Sequence, residues 1–332
     1  SFRSIVKKGN INMKKEELLK VYKTMRTIRS FEERCDKEFM QGNIPGFVHL
    51  YAGQEAVAVG VCSHLSDEDK IGSTHRGHGH CIAKGCDVKG MMHEIMGKAD
   101  GLCKGKGGSM HIADLSKGML GANAIVGGAP PTAVGAALTA KTLGNNTVAV
   151  AFSGDGASNQ GTTFEAMNMA VVLQVPVIFV FENNGYGEHT GADYAVGSKD
   201  IARRAEGFGL PTYKVDGTDF FEVYETAGKA IKDAREGKGP SAIEAEAVRF
   251  GGHFIGDPQN YRAEGELDKL RAERDCLKIF RSKVISDFDL KEEELNLIDK
   301  EVNALIDDCT KSGISAPMPD VKELTTDVYL NY

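Results

Sequence analysis

The sequence predicts an α/β protein with a doubly wound parallel sheet, a helical N-terminal arm and a helical C-terminal tail. Between residues 147 and 250, short apolar segments typical of buried strands alternate with segments that carry a helical pattern. An acidic Gly-Asp-Gly turn follows one of these strands at Asp155, and an Asn pair that ends at Asn184 follows the next strand. Their separation of about 30 residues is that of one strand–helix–strand unit. Charged amphipathic segments at both ends indicate helical extensions.

The first third of the chain is predicted to be mostly helical. Residues 14–42 carry apolar side chains at helical intervals, and residues 53–65 form a helix rich in small residues. Residues 70–80 are predicted to form a short strand that leads into a loop rich in Gly and His. A helix over 85–98 then precedes a long Gly-rich loop over 101–118.

The rest of the chain alternates between helix and strand before it ends in helices. The predicted elements are a buried helix over 130–143, a strand over 147–156, a helix near 163–173, a strand over 175–181, a helix near 200–208, a strand over 212–217, a helix over 220–236, a strand over 241–250 and amphipathic helices over 264–309. This alternation favours a parallel sheet with helices on both faces.

The chain is expected to form one domain over residues 13–332, because no internal repeat or linker interrupts the pattern. Met13 is a candidate for the natural start, in which case residues 1–12 are an added remnant or a disordered tail. These first residues are polar and basic, so no signal peptide is expected.

Composition argues against two classes of partner. The 332 residues carry a net charge of −7 and no long basic run, so a dedicated nucleic-acid surface is not expected. No apolar run reaches the length of about 18 residues that a membrane span needs. Seven cysteines without a CxxC pair fit a reducing cytosol, which predicts a cytoplasmic protein. The spacing of His78, His80, Cys81 and Cys86 matches no usual zinc pattern.

The polar residues that follow two neighbouring strands predict a metal and phosphate site. In a parallel sheet the ends of both strands meet at one edge, so the Asp155 carboxylate and the Asn184 amide oxygen are expected to converge. Hard oxygen ligands around an open position suit Mg²⁺ that shares its shell with phosphates. Glycines in the Gly-Asp-Gly turn allow close approach of the backbone to phosphate oxygens. The alternative is that both segments are ordinary turns, since Gly-Asp-Gly and Asn-Gly are common turn sequences.

Several stretches together resemble one enzyme family. They are IRSFEE, GFVHLYAGQEA, HRGHGH, KGKGGSMH, NAIVGG, GDGASNQGTTFEAMNMA, ENNGYG and GGHFIGDPQNYR. The Gly-Asp-Gly turn with the Asn pair resembles the thiamine diphosphate signature. Over nearly the whole chain after about residue 20, the sequence is similar to the α subunit of the thiamine diphosphate-dependent first component of 2-oxo acid dehydrogenase complexes.

One pair of residues favours a particular branch of that family. Pyruvate dehydrogenases usually carry Tyr at the position of His75, whereas this chain has a His-Arg pair at His75 and Arg76. The pair, together with GGHFIGD, is similar to the acetoin branch. The resemblance therefore implies cleavage of acetoin to acetaldehyde, with the remaining two-carbon unit held on the cofactor as a hydroxyethyl adduct and then oxidised as it passes to a lipoyl group.

The resemblance also implies a divided active site. In this family the diphosphate-binding domain lies in the α chain and the pyrimidine-binding domain in a β chain, within an α₂β₂ assembly that works with a lipoyl acyltransferase. The glutamate that activates the aminopyrimidine would come from the β chain. Length agrees, because no second doubly wound domain is left over in these 332 residues.

The resemblance assigns roles to individual positions. The implied Mg²⁺ ligands are Asp155, Asn184 and the backbone carbonyl of Tyr186. The implied cofactor contacts are His75, Arg76, Ala124, Val126, Asp155, Gly156, Ala157, Asn184 and His253, with Ile125 as a support for the bent cofactor. The implied catalytic residues on the substrate side are His49, His75, His78 and His253, of which at least two of the first three are expected at the mouth of the site.

Other interpretations remain open from the residues themselves. Arg76 could form a surface ion pair, His253 could be a hydrogen-bonded loop residue, and the Ile-Val pair could belong to the core. A pyruvate or branched-chain 2-oxo acid dehydrogenase α subunit is the second functional interpretation. A non-catalytic nucleotide- or phosphate-binding module is the third, although neither a GxGxxG motif nor a P-loop supports it.

Overall fold

Six parallel strands form a sheet in the computed structural model, which describes residues 13–331. The strands of this sheet are β1 (Lys70–Gly72), β2 (Met119–Gly121), β3 (Ala149–Gly154), β4 (Val177–Asn183), β7 (Thr212–Asp216) and β8 (Ser241–Glu246). Two further short strands are β5 (Tyr186–Gly187) and β6 (Thr190–Gly191). In the large sheet the order is β2-β1-β3-β4-β8-β7, and β5 pairs with β6 in a separate antiparallel hairpin. The predicted parallel α/β sheet is confirmed.

Helices cover both faces of this sheet. They are α1 (Lys15–Met40), α2 (Glu55–Cys62), α3 (His78–Lys84), α4 (Val88–Ile95), α5 (Ala129–Leu143), α6 (Gly161–Leu173), α7 (Ala192–Ala195), α8 (Ile201–Glu206), α9 (Phe220–Arg235), α10 (Glu266–Glu273), α11 (Cys276–Phe288) and α12 (Glu292–Ser315). Alternate residues of one strand enter different cores. Phe152 packs in the core that contains α1, α2 and α9, whereas Ala151 packs in the core that contains α5 and α6.

The two helical extensions pack against each other. Helix α1 lies along α12 and α11, and the Tyr22 hydroxyl donates to Asp299 at 2.8 Å. The buried Arg29 guanidinium joins α1 to α2 and to the start of α11, with Nε–Oε1 of 2.6 Å to Glu55 and Nη2–Oδ1 of 3.2 Å to Asp275. The arm and the tail are therefore one layer on one face of the sheet.

The predicted loop around His78 is wrong, because helix α3 begins there. Gly79 serves close packing in this helix rather than a loop conformation. A Cβ on Gly79 would lie 2.0 Å from Cδ1 of Tyr51. Glycine in a helix interior is ordinarily unfavourable, and here it admits an aromatic ring against the helix backbone.

Three short strands, β2, β5 and β6, were missed, and strand β8 ends four residues earlier than predicted. The pattern gave no strand at Met119–Gly121, which is three residues long at the edge of the sheet, and none for the β5–β6 hairpin. Strand β8 ends at Glu246, where its pairing with Asn183 of β4 ends, rather than at residue 250.

The Gly-rich loop over 101–118 is confirmed, apart from a 3₁₀ turn at Leu115–Lys117. The buried Glu94 carboxylate anchors it. Oε2 accepts from the amides of Cys103 and Gly105, both at 2.8 Å, and Oε1 accepts from Gly107 at 2.7 Å and Gly108 at 3.0 Å. Four amide donors explain why this carboxylate can be buried.

No helix among the described residues is long and apolar enough to cross a bilayer. The expectation for residues 1–12 lies outside residues 13–331. The expectation of one domain stays a prediction.

Candidate active site

A cavity of about 260 Å³ lies where strands β1, β3 and β4 end. Most of the predicted site residues line it. They are His75, Arg76, Val126, Asp155, Gly156, Ala157, Asn184, Tyr186 and His253. The carboxyl edge of a parallel sheet is where such folds bind ligands, and the cavity has that position.

Asp155 carries one oxygen that lacks a partner. Its Oδ1 accepts from the Gly156 amide at 2.8 Å, whereas its buried Oδ2 has no hydrogen bond. Burial raises the pKa of this carboxyl to about 6. A buried carboxylate without a counter-ion is costly, so the site fits a cation at Oδ2.

Asn184 is held by Gln54, a residue that sequence analysis missed. Asn184 Nδ2 donates to Gln54 Oε1 at 2.9 Å, and Asn184 Oδ1 accepts from the Tyr186 amide at 3.3 Å. The segment is thus a turn as well as a cavity wall, and the two interpretations of Asn-Asn-Gly are compatible. Nothing in the sequence links residues 54 and 184, because their contact is made only by the fold.

The preceding residue, Asn183, is fixed by a buried carboxylate. Asn183 Nδ2 donates to Glu244 Oε1 at 2.8 Å. Glu244 Oε2 accepts from the amides of Ile201 at 3.0 Å and Ala202 at 2.9 Å, at the start of α8. Glu244 therefore joins the end of β4 to a helix N-terminus, where a negative charge is favoured.

The backbones of the two turns approach closely. A Cβ on Gly187 would lie 3.2 Å from the Gly156 Cα. A 3₁₀ turn at Ala157–Asn159 follows Gly156, and α6 begins only at Gly161. The Gly156 amide already donates to Asp155 here, so the predicted approach of its N–H to a phosphate competes with that bond.

Arg76 is buried and bonds to backbone carbonyls. Nη1 donates to the Leu50 oxygen at 2.6 Å and Nη2 to the His253 oxygen at 3.0 Å. Burial, reinforced by the charge of Arg249, lowers the pKa of Arg76 to about 9. The alternative of a surface ion pair is excluded, and a buried cation at the cavity wall fits an anionic ligand.

Arg249 is a second cation in the cavity that sequence analysis missed. It is 1% exposed, its Nη2 donates to the Tyr261 hydroxyl at 2.6 Å, and its Nε has no hydrogen bond. Tyr261 in turn donates to Asp257 at 2.6 Å. The signal was a single arginine in the otherwise uncharged run AVRFGG, which is an unusual place for a charge.

Three imidazoles meet beside the cavity. The His49 ring centroid lies 4.6 Å from His75 and 4.9 Å from His253, and the last two are 5.0 Å apart. The Nδ1 atoms of His49 and His253 are buried and have no hydrogen bond. Burial, then the Arg76 charge, lowers the pKa of His49 to about 3, of His75 to about 2 and of His253 to about 4. All three rings are neutral at pH 7.

His78 is not at the mouth of the cavity. It is fully buried, with Nδ1 bonded to Glu32 and Nε2 to Ser109, both at 2.9 Å. It does not line the cavity, so the expected place of His78 is corrected. His49 contacts the His75 ring and does not line the cavity either, so of these three candidates His75 lies on the cavity wall.

The predicted pyrimidine-side segment lies only partly in the cavity. Val126 and Ile125 line it and remain 45% and 71% exposed, whereas Ala124 does not line it. Two exposed apolar side chains at a cavity rim leave room for a covering partner.

Comparison with known proteins gives consistent matches. The family model described as dehydrogenase E1 component matches residues 23–322. The α subunit of acetoin:2,6-dichlorophenolindophenol oxidoreductase from Cupriavidus necator is 58% identical over 318 residues, which cover 96% of this chain and 96% of that protein. The Bacillus subtilis protein of the same name is 51% identical, covering 99% and 98%. The pyruvate dehydrogenase E1 component α subunit of Rhizobium meliloti is 40% identical, covering 95% and 91%.

Proposed function

Because this chain belongs to the dehydrogenase E1 component family, we propose that it is the α subunit of a thiamine diphosphate-dependent enzyme that cleaves acetoin. The observation that carries the proposal is 58% and 51% identity, over nearly whole chains, to α subunits named as acetoin oxidoreductases. The reaction releases acetaldehyde, and the remaining two-carbon unit loses two electrons to a lipoyl disulfide, or to an artificial acceptor, to reach the acetyl level.

The cavity residues fit the diphosphate end of the cofactor. Arg76 and Arg249 are two buried guanidinium groups at one wall, and neither bonds to a carboxylate among the contacts above. Guanidinium groups bind phosphate oxygens with charge-assisted hydrogen bonds. When bound, thiamine diphosphate supplies the nucleophilic carbon and the electron sink that carbon–carbon cleavage needs. The polypeptide orients it and excludes water.

We propose Mg²⁺ as the cation between Asp155 and the diphosphate. Asp155 Oδ2 is buried without a partner, and Gln54 holds the amide nitrogen of Asn184. The Asn184 Oδ1 accepts from the Tyr186 amide at 3.3 Å and keeps a second lone pair for a ligand. The Tyr186 carbonyl is the third protein ligand in this proposal. Oxygen ligands with open positions suit Mg²⁺ better than softer metals.

The substrate side favours an uncharged substrate. His75 and His253 line the cavity as neutral rings, and in this proposal the cations Arg76 and Arg249 belong to the diphosphate end. Acetoin has no carboxylate, whereas a 2-oxo acid needs a cation for one. The 40% identity to a pyruvate dehydrogenase α subunit keeps that activity as the second candidate.

The proposal includes partner chains. The relatives are named as α subunits, so a β subunit is expected to cover the rim at Ile125 and Val126 and to supply the pyrimidine-binding half of the site. An α₂β₂ assembly and a lipoyl acyltransferase acceptor complete the proposal. Seven free thiols fit a reducing cytoplasm.

The test uses this chain co-expressed with its β subunit. With thiamine diphosphate and Mg²⁺ present, reduction of 2,6-dichlorophenolindophenol is followed with acetoin and with pyruvate in parallel. A strong preference for acetoin supports the proposal. A preference for pyruvate assigns the second candidate function, and no reduction with either substrate rejects both.

A further inference from the structure

We propose that His49, His75 and His253 form a second metal site, for a late first-row divalent ion such as Zn²⁺, beside the oxygen site at Asp155. The roles implied for this histidine trio so far are contacts with the substrate and, for His75 and His253, with the cofactor. The inference concerns ion binding by the protein and does not depend on which substrate is turned over.

The geometry is that of three convergent ligands. One nitrogen from each ring can be chosen so that the three atoms all lie within 4.8 Å of one another. A tetrahedral ion with metal–nitrogen distances of about 2.0–2.1 Å places its ligands roughly 3.4 Å apart. Small side-chain rotations therefore close the trio around one ion, and a fourth position remains for water.

Two ring nitrogens of the trio have no hydrogen-bond partner. Nδ1 of His49 and Nδ1 of His253 are buried without hydrogen bonds. Leaving buried polar atoms unpaired costs free energy, and coordination of an ion removes that cost. Neutral imidazoles need not lose a proton before they bind a metal.

The surrounding charges set limits on the affinity. Arg76 and Arg249 both act on His49 and His253, and they oppose a cation. Asp257 acts in the opposite direction, because its negative charge favours a cation at His253. Its Oδ2 lies beside that residue and accepts from the His253 amide at 2.6 Å. We therefore expect the trio to bind its metal ion reversibly and with lower affinity than closed structural zinc sites. The affinity should rise when an anion binds to the two arginines and offsets their charge.

A second group of possible metal ligands in the described part of the chain differs from the histidine trio, because its polar atoms already have partners. Glu32, Cys35 and His78 also lie within ligand distance of one another. Both His78 nitrogens are already hydrogen-bonded, and burial raises the pKa of the Cys35 thiol well above its usual range. That group is a satisfied part of the core and carries no proposal.

The two sites in the cavity differ in ligand chemistry. Imidazole nitrogen suits Zn²⁺, Co²⁺, Ni²⁺ and Cu²⁺, whereas carboxylate and amide oxygens suit Mg²⁺. An ion on the trio would occupy the rings that face the substrate side and would inhibit turnover without displacing Mg²⁺. This last consequence rests on the proposed function, and the binding itself does not.

The experiment titrates Co²⁺ into the metal-free complex of this chain with its β subunit and follows visible absorption. We expect one low-coordinate Co²⁺ spectrum per α chain, displaced by Zn²⁺. His49→Gln, His75→Gln and His253→Gln are each expected to weaken Co²⁺ binding at least about tenfold, since loss of a ligand should exceed the effect of an outer-shell change. Exposed His111→Gln and Asp155→Asn are expected to retain the spectrum.

Wild-type absorption in all three trio variants, or no spectrum in the wild type, overturns the proposal. Anomalous diffraction from Zn²⁺-soaked crystals of the wild-type complex tests it without any variant. A peak between the three rings supports the site, and a Zn²⁺ peak only at Asp155 or at the surface contradicts it. Failure to turn over acetoin would reject the proposed function and leave these binding results unaffected.

Discussion

Gln54 fixes the side chain of Asn184 through a single hydrogen bond, Nδ2 to Oε1 at 2.9 Å. Gln54 is 1% exposed and lies just before α2, far from Asn184 in the chain. The bond determines which end of the amide is left for the cavity. The Asn184 amide could otherwise adopt either of two flipped orientations. The bond to Gln54 selects one of them before any ligand binds, which is the usual role of a residue that orients a metal ligand.

Gln54→Ala should therefore weaken Mg²⁺-dependent cofactor binding without abolishing it. We expect a loss of about 10- to 100-fold in Mg²⁺ affinity, the range for outer-shell partners. Calorimetric titration of the complex with the β subunit measures it. Exposed Gln41→Ala is the matched control, and equal affinities in both variants would show that Gln54 does not position Asn184.

Asp155→Asn should stabilise the cofactor-free protein and at the same time abolish Mg²⁺-dependent cofactor binding. The Asp155 pKa is raised to about 6, so at pH 7 its ionised form destabilises the folded state relative to its neutral form. The neutral amide should therefore stabilise the cofactor-free protein by up to about 3 kcal/mol, since the rise from 3.8 to about 6 is taken at 1.36 kcal/mol for each pKa unit. The same change should abolish Mg²⁺-dependent cofactor binding.

Chemical denaturation and calorimetry check the two halves of this prediction. Exposed Asp193→Asn should change neither quantity. A destabilised Asp155→Asn protein that still binds the cofactor with Mg²⁺ would contradict both the electrostatic argument and the ligand assignment.

Arg249→Gln should weaken cofactor binding through the diphosphate. A hydrogen bond to a charged group is worth about 1.5–3 kcal/mol, or roughly 10- to 100-fold in affinity. The loss should be equal for thiamine diphosphate and inorganic pyrophosphate, and near zero for thiamine. The exposed Arg203→Gln variant controls for charge, and an equal loss with thiamine would point to general disruption instead.

The sequence could predict the parts of the fold that repeat along the chain. Strands buried on both faces are apolar runs, so β3 and β4 were evident, and the residues that follow them had to meet at one edge. Asp155 and Asn184 were found for that reason. The apolar pattern did not predict the end of β8, because that strand stops where its pairing with Asn183 stops.

The sequence could not predict contacts between segments that lie far apart in the chain. Gln54 reaches Asn184, and Glu244 reaches Asn183, only after the sheet has formed. His78 follows His75 by only three residues in the same His-rich stretch. Because His78 lies on α3, however, its ring contacts Glu32 in the core. Spacing alone could not separate one histidine on the cavity wall from one in the core.

Gly79→Ala should destabilise the protein even though alanine favours helices. The added Cβ would lie 2.0 Å from the buried Tyr51 ring, so the ring or α3 must move. Overpacking of this kind costs about 1–3 kcal/mol. Gly135→Ala in α5 is the control, because a Cβ there meets nothing within 4 Å. Thermal unfolding that ranks the two variants in the opposite order would show that α3 yields without strain.

The histidine trio should make stability depend on pH below neutrality. Burial and Arg76 lower the pKa of His49 from 6.5 to about 3. Between these values the unfolded chain binds a proton that the folded chain does not, so stability falls as pH falls. At pH 5.5 a fully shifted histidine costs about 1 kcal/mol relative to pH 7.5. Asp155 acts in the opposite direction, since its folded pKa is raised.

Comparison of variants isolates the contribution of the trio from that of Asp155. His49→Gln removes one titrating ring, so its urea unfolding midpoint should fall less between pH 7.5 and pH 5.5 than the wild-type midpoint. His111→Gln, at an exposed ring, should follow the wild type. Parallel curves for all three proteins would mean that His49 is protonated equally in the folded and unfolded chains. In that case neither burial nor the Arg76 charge would lower the pKa of His49, and the limit that the arginines place on the metal affinity of the trio would also be removed.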